Sequence, residues 1–273
     1  MILRLTASCL LLACATPLRA DVVLAPPFQD HAVLQRDRPL AVWGRADAGE
    51  KILVSFDGQA VGTTAARDGR WIVYLEALPA STEPGELVVE GRNTVTVRDV
   101  LVGEVWLAAG DDLIAGSAAG PTVSPAPGPV RVFTATATSA DGPAESVAGN
   151  WAGVGTEGDA ISLVFARDLQ RRLQVPVGIL HAASPGSAID AWLSPAALGS
   201  TPAFLAEAGP NAARLFNGTI NPLLPSALRG VIWAQGTADA DRAPGYHARF
   251  AALITHWRRH LGQGDVPFFW VQL

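Results

Sequence analysis

The stretch that decides how this chain is interpreted is Asp99-Val-Leu-Val-Gly-Glu-Val-Trp-Leu-Ala-Ala-Gly-Asp-Asp-Leu-Ile-Ala-Gly116. Residues 100–107 are almost wholly apolar and predict a buried strand, and the small residues 108–110 predict the turn that follows it. In α/β hydrolytic folds, a turn of this kind presents a nucleophile at the end of a strand. Asp112 stands where a serine hydroxyl would be useful. The stretch therefore predicts a hydrolase-like scaffold that lacks its reactive hydroxyl.

Composition limits the class of protein. The chain has 273 residues, of which 49% are apolar and 16% are charged, so it can bury the core of one large or two modest domains. The formal net charge is −5 and no basic block is present, so nucleic acid is not an expected partner. The only cysteines are Cys9 and Cys14, which lie in the first 20 residues. Disulfides, cysteine-ligated zinc and a cysteine nucleophile are therefore excluded for residues 21–273.

Residues 1–20 are expected to be an export signal. Arg4 precedes an apolar run at residues 5–15, and Ala20 offers a small residue before a cut that would leave Asp21 first. The apolar run is shorter than the ~20 residues that span a bilayer, so no membrane span is expected. Leu11-Leu12-Ala13-Cys14 also resembles a bacterial lipoprotein box, which would place a lipid on Cys14 as a minor alternative. Secretion into a bacterial periplasm is favoured.

Residues 21–99 are expected to form a β-sandwich domain. Short runs rich in β-branched and aromatic residues alternate with turn residues, as in sandwich folds. The pairs Asp57-Gly58 and Asp68-Gly69 suit hairpins, because glycine tolerates a positive φ. The predicted strands are residues 41–44, 51–56, 70–75, 86–90 and 93–97.

Residues 100–273 are expected to form an α/β domain that is incomplete at its C-terminus. Helical periodicity over residues 158–173 and 246–261 alternates with apolar runs at 175–180, at 230–233 and from 267 onward. This alternation indicates a mostly parallel sheet with helices. Residues 116–149 predict a loop with one short strand near residues 130–135. Because the last strand stops with the sequence, an open sheet edge and self-association are expected.

Several segments, in this order, resemble the sialate O-acetylesterase family of SGNH (GDSL-type) hydrolases, and together they span nearly all of residues 21–273. They are Phe28-Gln-Asp-His-Ala-Val-Leu-Gln-Arg36, Val42-Trp-Gly44, Asp68-Gly-Arg-Trp71 and residues 99–107, 175–181, 188–192, 216–225 and 231–236. The resemblance implies an SGNH-hydrolase-like α/β fold preceded by the β domain. It also implies hydrolysis of O-acetyl esters on sugars, with no cofactor.

The nucleophile position is the first departure from the family pattern. The family carries Gly-Gln-Ser-Asn-Met where this chain has Gly110-Asp111-Asp112-Leu113-Ile114, so Asp112 replaces the serine. An attacking carboxylate would form an anhydride and would add negative charge where the oxyanion develops. An inactive site is therefore predicted, with an aspartate nucleophile as the alternative.

The oxyanion-hole positions carry the second departure. Ser184-Pro185-Gly186-Ser187 stands in place of Trp-Gly-Gly-Thr, so Gly186 keeps a donor N–H. Gln235-Gly236-Thr237-Ala238-Asp239 stands in place of Gln-Gly-Glu-Ser-Asn, so Asp239 replaces the asparagine donor, and an ionised aspartate only accepts. The pocket neighbours implied by the resemblance are Gly110, Asp111, Ser187, Gln235 and Gly236.

The carboxylates of Asp111, Asp112 and Asp239 raise the alternative of a cation site built from oxygen ligands. Solvated carboxylates are the favoured interpretation, and no metal is expected. The sequon Asn217-Gly-Thr219 is interpreted as a plain turn rather than a glycosylation site.

The histidine base of the family lies far downstream, a few residues after an aspartate, and the sequence reaches Leu273 before a matching segment. His31 and His181 fall in family-like segments and are expected to be structural. His256 and His260 lie four residues apart on the predicted last helix, with His247 one turn or more before them. A solvated helix surface is favoured there over a metal pair.

Three hypotheses about function follow. The first is an exported family member, with O-acetylated sugar as ligand, that is catalytically disabled. The second is a carbohydrate-binding or purely structural remnant. The third is an active esterase that uses an unconventional nucleophile or a partner chain supplying the missing segment.

Overall fold

The computed structural model describes residues 21–115, 123–124, 128–154 and 161–271. The strands are β1 (Val23–Leu24), β2 (Val33–Gln35), β3 (Leu40–Arg45), β4 (Lys51–Phe56), β5 (Gln59–Thr64), β6 (Arg70–Leu75), β7 (Ser81–Glu90), β8 (Thr94–Gly110), β9 (Val123–Ser124), β10 (Val130–Ala135), β11 (Gly149–Val154), β12 (Val177–Ala183), β13 (Gly230–Ala234) and β14 (Phe268–Trp270). The α-helices are α1 (Asp112–Ala115), α2 (Ile161–Leu173), α3 (Pro195–Leu198), α4 (Pro202–Glu207) and α5 (Ala243–Leu261). Shorter 3₁₀ or π-helical turns cover Ile189–Trp192, Phe216–Ile220, Asn221–Leu223 and Thr237–Arg242.

The N-terminal half is a β-sandwich, as predicted. One sheet has the order β1-β3-β6, and the facing strands follow the order β5-β4-β7-β8. Alternate residues of β4 and β6 point inward, because side chains alternate across a strand, and they form one apolar core. The bounds of β4 and β6 match the prediction, and the φ angles of Asp57 and Gly58 are both positive in the hairpin between β4 and β5.

Strand β8 joins the two halves of the molecule. Its first part pairs antiparallel with β7, and its last part pairs parallel with β12 and β13. The predicted break between residues 97 and 100 is wrong, because the strand runs on through Asp99 with a φ of +54°. Arg131 of β10 holds this bend by donating to the backbone oxygen of Asp99 at 2.6 Å and to Asp99 Oδ1 at 2.9 Å. The Nδ1 atom of His31 lies 2.6 Å from Asp99 Oδ2, a structural contact as expected.

The C-terminal half contains the mostly parallel sheet that the sequence predicts. Strands β14, β13, β8, β12 and β10 lie side by side and all run parallel. Strands β11 and β9 extend the sheet antiparallel beyond β10. The central strands are buried on both faces, which suits their continuous apolar runs.

Two helical layers cover this sheet. Helices α1 and α2 contribute Ile114, Leu163 and Ala166 to the core on one face. Helix α5 and the turn Ile189–Trp192 cover the other face, where the Trp233 ring lies edge-on to the rings of Trp192 and Trp257 at 5.7 and 5.8 Å. Within the part of the chain that the structure describes, no helix has both the length and the apolar character needed to cross a membrane.

Several predicted bounds change. The helix predicted over residues 158–173 begins at Ile161 among the described residues, with residues 158–160 outside them, and the last helix begins at Ala243 rather than at residue 246. Strand β10 has the predicted bounds, whereas the rest of the predicted loop 116–149 contains β9 and the start of β11, with residues 116–122 and 125–127 outside the described residues. Strands β5 and β11 were not predicted, because glycine, alanine and polar residues give them no strong apolar alternation.

Candidate functional site

Three loops of the candidate site begin at the same level of the sheet. Gly110 at the end of β8 pairs with Ala183 at the end of β12 and with Ala234 at the end of β13. Because the carboxyl ends of neighbouring parallel strands meet at one edge, the loops that follow them lie together there, and the region between these loops is called the cleft below. These loops carry Asp111 and Asp112, then Gly186 and Ser187, and then Gln235, Gly236 and Asp239.

The turn after β8 is fixed from both sides. Ser184 N donates to the backbone oxygen of Gly110 at 2.9 Å, and Asp111 N donates to the backbone oxygen of Ala234 at 2.9 Å. A Cβ atom on Gly110 would come within 2.0 Å of that same Ala234 oxygen. These hydrogen bonds connect the ends of the three strands just before Asp111, the first polar side chain of the cleft.

Asp112 is the first residue of α1, and its side chain is exposed. Among the described residues it has no hydrogen-bond or ion-pair partner. The resemblance assigns the nucleophile to this position, directly after the end of the central strand β8. The structure therefore places an exposed carboxylate, without a partner in the described part of the chain, where the chain leaves β8.

Asp111 lies next to Asp112 but is fully buried. Its Oδ2 atom accepts hydrogen bonds from Gly236 N at 3.1 Å and from Thr237 Oγ1 at 2.9 Å, and its Oδ1 atom has no partner among the described residues. The favoured interpretation of Asp111 as a solvated carboxylate is wrong. Its side chain instead ties the turn after β8 to the loop after β13.

Gly186 lies at the exposed tip of the loop after β12. Its φ is +68°, nothing lies within 4 Å of the place where a Cβ would be, and its N–H donates to no described residue. Ser187 holds the base of this tip, because its Oγ donates to the backbone oxygen of Ser184 at 2.6 Å and accepts from Trp192 Nε1 at 2.9 Å. The exposed tip therefore presents the Gly186 N–H, which donates to no described residue, from a turn that Ser187 holds.

Gln235 connects the second loop to the third. Its Nε2 donates to the Ser187 backbone oxygen and to Asp239 Oδ2, each at 2.8 Å. Its backbone oxygen accepts from Tyr246 Oη at 2.7 Å. Burial raises the pKa of Tyr246 to about 12, so the phenol stays protonated as the donor in this contact.

Asp239 is also buried, with only 3% of its surface exposed. Its Oδ2 accepts from Ile189 N at 2.7 Å as well as from Gln235, and its Oδ1 accepts from Arg242 Nη2 at 2.5 Å. Arg242 also donates to Asp190 Oδ2 at 2.8 Å, and the hydrogen bonds to Asp190 and Asp239 raise the pKa of this guanidinium. The favoured interpretation of Asp239 as solvated is wrong, because a salt bridge and two N–H donors use its oxygens.

The alternative of a cation site from Asp111, Asp112 and Asp239 finds no support. Among the described residues, no three histidine, cysteine or acidic side chains lie together as a metal site. The buried oxygens of Asp239 are used by protein donors, and Asp111 faces the loop after β13.

The histidines of the C-terminal half do not provide a base beside Asp112. His181 is buried, its Nε2 contacts the backbone oxygen of Ile114 at 2.7 Å, and burial lowers its pKa, so it is a neutral structural residue. His247 and His260 are exposed, as expected, whereas His256 is buried, so the expectation of a solvated surface is wrong for His256 alone. Burial and the neighbouring Arg259 and His260 lower the pKa of His256.

The sequon is not a surface turn. Asn217 and Thr219 lie in the buried π-helical turn Phe216–Ile220, with 2% and 0% of their surfaces exposed. Thr219 Oγ1 accepts from Thr138 N at 2.8 Å, so the segment anchors the loop after β10. The segment predicted as a plain turn is thus a buried helical turn.

Sequence reasoning missed three side chains of the site. Tyr246, Arg242 and Asp190 brace the loops, yet none lies in a pattern that demands its chemistry. Asp190 does fall within residues 188–192, which resemble a family segment. That segment is the only signal in the sequence that could have drawn attention to it.

Comparisons with known proteins show which proteins this chain resembles. Residues 105–273 match the family model described as "Carbohydrate esterase, sialic acid-specific acetylesterase". Sialate O-acetylesterase of Homo sapiens is 27% identical over 293 residues, covering 90% of this chain and 56% of that protein, and the protein of Rattus norvegicus is also 27% identical. The solved structure of XAC1771, a carbohydrate acetylesterase from Xanthomonas citri, is 35% identical with a TM-score of 0.82. It matches over 93% of this chain and 60% of its own length, so this chain spans less than two thirds of these relatives.

Proposed function

Because the chain belongs to the carbohydrate esterase family of sialic acid-specific acetylesterases, we propose that its cleft binds an O-acetylated sugar without cleaving the ester. The observation that carries this proposal is the exposed carboxylate of Asp112 at the end of the central strand, which has no partner among the described residues. Ester cleavage by a serine needs a hydroxyl at this place and donors around the developing oxyanion. Asp112 supplies neither a hydroxyl nor a donor.

The charge of Asp112 argues further against turnover. A carboxylate beside the reacting carbonyl repels the negative charge that forms on the carbonyl oxygen in the transition state. That charge is weaker on the bound ester than on the tetrahedral intermediate. Asp112 therefore penalises hydrolysis more than it penalises binding.

The rest of the cleft supports ligand binding. The Gly186 N–H donates to no described residue and is available to an acetyl carbonyl oxygen. Hydrogen bonds from Gln235 and to Asp111 connect the neighbouring loops. Asp112 is itself a strong acceptor for sugar hydroxyl groups, since hydrogen bonds to an ionised acceptor are the stronger ones. A pre-organised cleft of this kind lowers the cost of ordering on binding.

A paired titration tests the proposal. An O-acetylated sialic acid and the same sugar without the acetyl group are each titrated into the protein and followed by NMR, and released acetate is read in the same samples. We expect the acetylated sugar to bind more tightly by about fivefold or more, the equivalent of about one added hydrogen bond, with no acetate released. Asp57→Asn changes an exposed turn residue of the β-sandwich that is far from Asp112 in sequence. It serves as the matched control for the Asp112→Ala variant.

Two results would overturn the proposal. Equal affinity for both sugars would mean that the cleft does not recognise the acetyl group. Acetate release that is lost in Asp112→Ala would mean that the chain is an esterase with an unconventional nucleophile.

We also propose that the chain is exported and processed after Ala20. The support is the sequence pattern of residues 1–20, in which one basic residue precedes a short apolar run. Expression in a bacterium, followed by separation of periplasm and cytoplasm and mass measurement, tests this. A periplasmic chain that begins at Asp21 is expected, whereas a membrane-bound chain with a lipid on Cys14 or an uncut cytoplasmic chain would contradict it.

A further inference from the structure

We infer that Asp239 and Arg242 form a positioning pair that holds the Gly186 turn, and that Asp239 does not project its charge toward a ligand in the cleft. The inference rests on the proposed function only for its binding measurement. Its structural part concerns the loops after β12 and β13 and stands on their contacts alone.

The first observation is that both oxygens of the Asp239 carboxylate accept hydrogen bonds from protein donors. Oδ2 accepts from Ile189 N and from Gln235 Nε2, and Oδ1 accepts from Arg242 Nη2. With 3% of its side chain exposed, this carboxylate is fixed in one orientation by three donors from three places in the chain. A donor N–H on residue 239 would meet other donors at each of these contacts.

The second observation is where the contacts of Asp239 and Arg242 fall. Ile189 and Asp190 are consecutive residues of the turn that follows Gly186, and each is bound by one member of the pair. Asp190 is bound again on its other oxygen by Arg249 Nε at 2.8 Å. Asp239 and Arg242 therefore bind this loop at the third and fourth residues after Gly186, whose N–H donates to no described residue.

The third observation is charge balance. The buried carboxylates of Asp190 and Asp239 meet the guanidinium groups of Arg242 and Arg249, and Arg249 also pairs with the exposed Glu207 at 2.9 Å. The side chains of Asp190, Asp239 and Arg249 are 5% exposed or less, and that of Arg242 is 38% exposed. Removing one member of such a group leaves a buried charge without its partner. The loop geometry at Gly186 therefore depends on Arg242 as well as on Asp239.

Asp239→Asn is the discriminating variant, because it restores the residue that the family pattern carries. If residue 239 were merely a lost donor, this substitution would tighten binding of the O-acetylated sialic acid. The positioning pair predicts the opposite, since one amide oxygen cannot serve all three donors and the amide N–H then faces Arg242 or Gln235. We expect Ile189 amide hydrogen exchange to accelerate about tenfold and probe affinity to fall about fivefold. Tighter binding, or unchanged exchange, would overturn the inference.

Arg242→Gln and Arg242→Lys provide the second pair of variants. The glutamine variant removes the cation and is expected to accelerate Ile189 exchange, whereas the lysine variant keeps the cation and is expected to lie between it and the unmodified protein. Arg172→Gln, which removes an exposed ion pair with Asp168 on α2, is the matched control and is expected to change neither readout.

Each variant is measured at the same number of degrees below its own Tm. A change in exchange or affinity then reflects loop positioning rather than lower stability. If Arg242→Gln lowers Tm but leaves Ile189 exchange and probe affinity unchanged, the pair is only structural and the inference is wrong. If the unmodified protein does not distinguish the O-acetylated sugar from the unacetylated one, the proposed function fails. Ile189 exchange then decides the positioning pair by itself.

Discussion

A Cβ atom on Gly110 would lie 2.0 Å from the backbone oxygen of Ala234, the last residue of the neighbouring strand β13. The φ of Gly110 is +145°, a backbone conformation that residues other than glycine rarely adopt. Both facts result from the close approach of β8 and β13 at their carboxyl ends. This approach fixes where the chain leaves the sheet, and hence where Asp111 and Asp112 lie.

Gly110→Ala is expected to lower the free energy of unfolding by about 2–4 kcal/mol, because the new methyl group meets a backbone oxygen at a strained φ. Urea unfolding followed by tryptophan fluorescence measures the change. Gly142→Ala is the matched control, since nothing lies within 4 Å of its Cβ position and no positive φ is required there. A similar cost at both positions would contradict the close approach of β8 and β13.

Asp111 provides a test of how the loops are connected. Asp111→Ala removes the acceptor for Gly236 N and Thr237 Oγ1 and is expected to lower the free energy of unfolding by about 1–3 kcal/mol. Asp111→Asn keeps an acceptor oxygen for the same two donors and is expected to cost less. Urea unfolding measures the free energy of unfolding of both variants. An alanine variant at least as stable as the asparagine variant would contradict the role of Asp111 in connecting the two loops.

Asp99 makes the stability of the protein depend on pH. Burial alone would raise the pKa of its carboxyl, but hydrogen bonds from His31 and Arg131 outweigh burial and leave the pKa below its ordinary value. A carboxyl with a lowered pKa in the folded state stabilises the fold above its unfolded pKa of about 4, and that contribution is lost as the pH falls through the folded pKa.

The comparison of urea unfolding at about pH 6 and about pH 3 therefore tests Asp99. Asp99→Asn is expected to reduce the loss of stability between these two conditions, because it removes one of the groups that must be protonated. Asp57→Asn, an exposed turn residue with a positive φ that asparagine tolerates, is the control and is expected to leave the loss unchanged. An equal loss in Asp99→Asn and in the unmodified protein would contradict the assignment.

Strand β14 is expected to promote self-association. Among the described residues it pairs only with β13, and the side chains of Phe269 and Trp270 are 51% and 57% exposed. A strand edge with exposed apolar side chains favours pairing with another chain. Trp270→Lys is expected to shift the protein toward the monomer in analytical ultracentrifugation, with Leu205→Lys, an exposed apolar residue of α4, as the control. A monomeric unmodified protein at high concentration would contradict this expectation.

Local patterns in the sequence predict much of the fold. Residues 51–56 and 70–75 are short runs rich in β-branched, aromatic and other apolar residues, bounded by turn residues, and their strands have the predicted bounds. The continuity of β8 could not be predicted, because aspartate is typical of turns. Asp99 lies within the strand because His31 and Arg131 bind its carboxylate. These two partners lie 68 and 32 residues from Asp99 in sequence.

The same reason limits prediction of the site. The identity of Asp239 as an acceptor follows from its residue type, but its salt bridge with Arg242 and its contact with Ile189 depend on how two loops pack. The burial of His256 likewise depends on which face of α5 meets the sheet. Asp112 needed no such partner to be singled out, because its position follows directly from the apolar run of β8.

The central claim is that residue 112 occupies the place of the nucleophile and that its carboxylate does not cleave esters. Hydrolysis of p-nitrophenyl acetate by the unmodified protein and by Asp112→Ala measures this most directly. We expect both proteins to show the same rate, equal to that of buffer containing an inert protein. Turnover by the unmodified protein that disappears in Asp112→Ala would contradict the claim.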